Sequence, residues 1–189
     1  MEINKLLKKL KDQGLTIIPI RMFISEGGYE LRGRQNAIGT LITAPKALAT
    51  AGTFYPVASI RLKSTRLDSI VIPTAVSFLG QGNGINFNWR LISDATVTTG
   101  SWTTAGTDSS IEYTISGTAI SGGRVLASGF INSSNQGSPS LDILKQAIFQ
   151  FQLERNSLTG VPGAFTLAVA ADTNTQTCFG SIDWEEITR

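Results

Sequence analysis

The sequence predicts an all-β protein, an antiparallel β-sandwich of jelly-roll type, with one short amphipathic helix at its amino terminus. Three observations predict it. Residues 146–187 hold three segments whose side chains alternate as on the two faces of a half-buried sheet. Ala147, Phe149, Phe151 and Leu153 share one side of the first, Phe165, Leu167, Val169 and Ala171 one side of the second. In the third, Cys178, Gly180, Ile182 and Trp184 stand opposite Phe179, Ser181, Asp183 and Glu185. A fourth such run, Ile85, Phe87, Trp89 and Leu91, reads as a central strand. Finally, turn-forming residues separate the runs at 155–163 and 172–175, so the last three strands are expected to form an antiparallel meander.

Taken in order, Ile3, Leu6, Leu7 and Leu10 recur at the spacing of one helix face, with Lys5, Lys8, Lys9 and Lys11 elsewhere and Gly14 as a stop. About three turns are marginal alone, so the stripe has to dock. Docking within the protein or its oligomer makes Ile3, Leu6, Leu7 and Leu10 the expected assembly interface. Residues 1–14 are thus expected as a docking helix and 15–189 as a single sandwich domain. Pro19 demotes residues 16–24 to an edge or bulged strand. Residues 25–36 read as a loop whose Arg32 and Arg34 are solvated or paired with nearby glutamates.

Residues 37–43 are expected as a short strand closed by Ala44-Pro45, followed by strands at 57–63, 69–72 and 75–79, the last after Pro73. Gly80-Gln81-Gly82-Asn83-Gly84 precedes a strand rather than a helix, so Asn83-Gly84 reads as hairpin chemistry and not as a phosphate cradle. Residues 93–110 form a polar loop around Trp102, an aromatic expected to fold back over the sheet edge or to enter a contact. Strands follow at 110–116 and, after Gly122-Gly123, at 124–131. An exposed loop at 132–140 and a helical turn at 141–144 lead into the final segments.

Composition narrows function more than it assigns it. With Lys+Arg 16 against Asp+Glu 14, there is no electrostatic case for a nucleic-acid partner. A charged fraction of 16% leaves a surface of Ser, Thr, Asn, Gln and Gly, which suits β proteins that assemble through neutral faces. The absence of histidine excludes Ser-His-Asp and Cys-His nucleophile systems and histidine zinc sites. Cys178 has no intrachain partner, and its inward phase marks it as a small buried hydrophobe. No apolar run reaches the roughly 20 residues of a spanning helix, and no secretory signal is visible, so a soluble chain without a membrane partner is expected. Asp183, Glu185 and Glu186 read as solubility and edge-protection devices at a terminal strand rather than a catalytic pair. No catalytic, metal or cofactor-binding residues, no cofactor and no enzymatic activity are expected.

Gly123-Arg124-Val125-Leu126-Ala127-Ser128-Gly129-Phe130, then Phe165-Thr166-Leu167-Ala168-Val169-Ala170-Ala171, and the closing Gly180-Ser181-Ile182-Asp183-Trp184-Glu185-Glu186-Ile187 resemble structural proteins of tailed-bacteriophage virions. Pro56-Val57-Ala58-Ser59-Ile60-Arg61-Leu62-Lys63 is similar to an earlier segment of those proteins. The resemblance covers roughly residues 56–189. It implies a virion β-sandwich that assembles symmetrically as a head decoration, tail, baseplate or fibre component. A homo-oligomer, with a trimer favoured, in contact with other virion proteins, is the expectation. The alternative is a carbohydrate-binding β-sandwich that uses Trp102 with loop Asn and Gln groups on a host-surface glycan.

Overall fold

The computed structural model describes residues 22–25, 28–31, 34–134, 152–156 and 159–187. The expected helix with Ile3, Leu6, Leu7 and Leu10, the helical turn at 141–144, and Ala147, Phe149 and Phe151 lie outside these residues. Within them the chain is all-β and its strand pairs are antiparallel. The strands are β1 (Met22–Ser25), β2 (Gly28–Leu31), β3 (Arg34–Ala37), β4 (Lys46–Leu48), β5 (Tyr55–Leu62), β6 (Ile70–Gly80) and β7 (Asn86–Ser93). They continue as β8 (Thr96–Thr98), β9 (Thr103–Thr104), β10 (Ile111–Thr114), β11 (Ala119–Ser121), β12 (Arg124–Asn132), β13 (Ala164–Ala171) and β14 (Gln176–Ile187). Among the described residues β1 and β2 pair with each other alone and belong to a separate unit, from Met22 opposite Leu31 to Ser25 opposite Gly28.

The largest sheet runs β12-β7-β13-β5-β10-β9. β7 lies between β12 and β13, as its alternating aromatics predict, and Phe87, Trp89 and Leu91 are buried. β13 differs from expectation. The sequence suggests one buried face, yet Thr166, Ala168 and Ala170 are buried as thoroughly as Phe165, Leu167 and Val169. Outside this sheet lies the ribbon made by β8 and β11, which continues the β7–β12 pair but bends away where Asp94 (φ 54), Gly122 (φ 65) and Gly123 (φ 80) take left-handed conformations. Val97 of the ribbon closes on Gly117 and Gly100, which pack against Pro56 and Thr114. The ribbon thereby reaches the outer side of β5 at Pro56 and of β10 at Thr114, on the face that carries Ser59 and Thr166.

The second sheet is built around β14, which pairs along its length with β6 and on its other side with β4 and then β3. Between β4 and β3 the chain makes one 3-10 turn, Ile38–Leu41, where Gly39 N donates to Ser181 Oγ at 2.9 Å. A Cβ at Gly39 would lie 2.8 Å from that oxygen, so only glycine permits the approach. The two sheets meet at Gly180, where a Cβ would come within 2.7 Å of Leu167 Cδ2 and 2.9 Å of Val57 Cγ1. Phe87, Ile60, Leu62, Leu91, Leu167, Ile182 and Trp184 form one core there, each fully buried side chain contributing about 1.5–3 kcal/mol of transfer free energy.

Several expectations are corrected. β13 and β14 are not neighbours in a meander: β13 pairs β5 and β7, while β14 lies in the other sheet. Turn residues at 172–175 reverse the chain, and the reversal here carries it across the core. For the same reason Gly82 (φ 109), Asn83 and Gly84 (φ 72) connect β6 to β7 between sheets rather than close a hairpin. Residues 69–72 and 75–79 belong to the single strand β6: Pro73 stands opposite Trp184 beside a bulge, on a strand that pairs β14 on one side and on the other meets, among the described residues, Leu153 through a single bridge at Val71. An edge strand tolerates the missing N–H. The strand expected at 37–43 is replaced by the 3-10 turn, the loop at 25–36 contains β2 and β3, and the loop at 93–110 contains β8 and β9.

Candidate functional site

β12 is the outermost strand of the large sheet, and its one partner among the described residues is β7. Its odd-numbered residues Ala127, Gly129 and Ile131 stand opposite Leu91, Trp89 and Phe87, the core-facing side. Gly129 is required there, since a Cβ would sit 2.8 Å from Trp89 Nε1. The even-numbered Ser128, Phe130 and Asn132 stand opposite Arg90, Asn88 and Asn86 on the outer face.

Backbone bonding around β7 sets the direction of the remaining polar groups. Ser133 N donates to Ile85 O at 2.8 Å, while Asp172 N, on the β13 side, donates to Asn86 O at 3.0 Å. In an antiparallel ladder such directions alternate along the strand. Odd residues of β12 therefore address β7, and Ser128, Phe130 and Asn132 turn their N–H and C=O toward the side on which no described strand lies. From Val125 to Asn132 the strand has no charge and no proline, the usual devices that blunt an edge. A bulge between Val125 and Ala127 protects only its start. Phe130 is 78% exposed and Val125 48%. Beyond the strand, Asn132 Nδ2 donates to Asn86 Oδ1 at 2.8 Å and Asn86 Nδ2 to Asp172 Oδ2 at 2.6 Å, which ties the end of β12 to the sheet.

Trp102, the candidate glycan contact, is half-buried beside β9 with the Arg61 guanidinium 4.1 Å from its ring centroid. Arg61 also pairs with Glu112 at 2.8 Å. The indole has folded over the sheet edge, with one ring face taken by a cation. Arg90 makes a like stack on Phe54, 3.9 Å from the ring centroid.

The carboxylates at the end of β14 do not form an exposed acidic edge. β14 is an interior strand, and Glu186 is 3% exposed. Its Oε1 accepts from Asn36 Nδ2 (2.9 Å), Ser109 Oγ (2.5 Å) and Trp184 Nε1 (2.8 Å), and its Oε2 from Ser110 N (2.6 Å). One side chain thus fastens β3, β14 and the 105–110 loop together. Asp183 is half-buried and accepts from Ser181 Oγ at 3.0 Å. Cys178 is buried as expected, and burial pushes its thiol up to about 12. Opposite it, Lys46 donates to the Gly117 carbonyl, and burial lowers the pKa of its ammonium.

Among the clefts on the surface are two lined by described residues. One, of about 230 Å³, is lined by Asp94, Arg124, Glu154 and Arg155, and Asp94 Oδ1 already accepts from Ala164 N at 3.2 Å. The other, of about 220 Å³, lies over Ile42, Phe78, Leu79 and Phe179. Among the described residues no three His, Cys, Asp or Glu side chains cluster as metal ligands would.

Sequence reasoning missed Phe130 and Glu186. For Glu186 the signal was present, because continuing the inward phase Cys178, Gly180, Ile182, Trp184 by two residues reaches it. For Phe130 the strand pattern carried no such signal, since an aromatic there fits either face. No protein-family model matches the chain, and neither the curated proteins nor the solved structures include a match.

Proposed function

We propose that the protein is a structural component of a bacteriophage virion, a two-sheet β-sandwich of the head decoration, tail, baseplate or fibre kind. It acts by symmetric self-assembly and by contact with other virion proteins, and not as an enzyme. The observation that carries this reading is the uncharged outer edge at β12, with Phe130 78% exposed on it. A monomer leaves such an edge open to uncontrolled pairing, whereas an assembly uses it. The glycan-binding module takes second place, since Trp102 offers one free ring face at most.

Mass spectrometry of purified particles, together with light scattering and electron microscopy of the purified chain, tests the proposal. The expected result is a discrete homo-oligomer and a stoichiometric band in particles. A chain that stays monomeric at high concentration and is absent from particles contradicts it.

A further inference from the structure

We infer that the partner of β12 is β12 of a second copy, joined antiparallel across a twofold axis so that the two six-stranded sheets become one. This rests on the self-assembly reading and specifies its contact. The outward N–H and C=O groups of Ser128, Phe130 and Asn132 are the complement an antiparallel copy presents. An axis perpendicular to the sheet keeps outer face on outer face. Residues that meet across it must then share parity, and the axis passes midway between one residue and its own copy.

Centred on Phe130, the pairing sets Phe130 against its own copy and Ser128 against Asn132. Centred on Gly129, it sets Phe130 against Ser128. In either register the exposed phenyl ring gains a neighbour on the outer face. No charge lies between Val125 and Asn132, so no like charges meet in the ladder. A foreign strand needs only free backbone groups, whereas self-pairing also uses this neutrality. The contact is isologous and closes as a dimer, in place of the trimer that the sequence favours.

The test uses the full chain. Ser128→Pro removes one outward N–H and leaves the bonds to β7 untouched, and Phe130→Glu places two carboxylates near the axis. Each is expected to weaken dimerisation at least 100-fold in sedimentation equilibrium, with an unchanged circular dichroism spectrum. Val161→Glu, exposed elsewhere, is expected to leave it unchanged. Phe130→Cys alone, or its mixture with Ser128→Cys, is expected to cross-link into a covalent dimer on oxidation. If self-association survives both edge variants, or no cysteine pair cross-links, the twofold contact is overturned while self-assembly stands. A wild-type chain that never associates overturns both. Should an edge variant misfold, the oxidation experiment decides alone.

Discussion

Glu186 is the residue whose loss the fold should feel most for its size. Removing its carboxylate leaves the donors on Ser109, Ser110 and Trp184 buried without that partner and frees the half-buried Asn36 amide, and each orphaned buried group costs about 1–3 kcal/mol. Glu186→Ala is therefore expected to lower unfolding free energy by at least about 3 kcal/mol, measured by urea denaturation with tryptophan fluorescence. Glu186→Gln, which keeps the shape but loses one acceptor oxygen, should cost less. An alkaline signature belongs to Cys178. The unfolded thiol gives up its proton near 9.0 and the folded one near about 12, so between those values the unfolded state binds fewer protons and stability falls as pH rises. Lys46, lowered by burial, contributes an opposing slope on approach to 10.5. Cys178→Ala is expected to flatten the decline above pH 9.0 relative to wild type, checked by thermal melts across that window.

At the scale of elements, the bend between the β7–β12 hairpin and the β8–β11 ribbon distinguishes two adjacent glycines. A Cβ on Gly122 meets open space, so Gly122→Ala bears only the cost of its left-handed backbone, about 1–2 kcal/mol. A Cβ on Gly123 would also lie 2.6 Å from Ser93 O and 2.9 Å from Ala95 Cα, both backbone. Gly123→Ala should thus be the more destabilising by chemical denaturation, and equal losses would contradict the bend. Alternation made β7, β13 and β14 legible in the sequence, because period two records burial directly. It did not disclose partners: β13 and β14 are joined by a short turn yet lie in different sheets, since a turn sets direction and not neighbour. Nor did it show that β13 is buried on both faces, which depends on tertiary neighbours that local pattern does not record.

At the scale of the larger unit, the six-stranded sheet and the sheet built around β14 share one core and, among the described residues, a neutral strand stands at the border of the larger sheet. The site was less legible than the fold. An open edge depends on which strand ends a sheet, a property of topology that local pattern does not encode, and Phe130 becomes informative only once β12 is known to be outermost. Beside it Gly129 packs directly on Trp89, so the edge is a paired strand rather than a loop. Sedimentation velocity of the full chain over a wide concentration range, wild type beside Phe130→Glu, is the most direct test. Concentration-dependent association in the wild type, abolished by the substitution, is the predicted result. A wild-type boundary that stays at the monomer mass throughout would contradict the account.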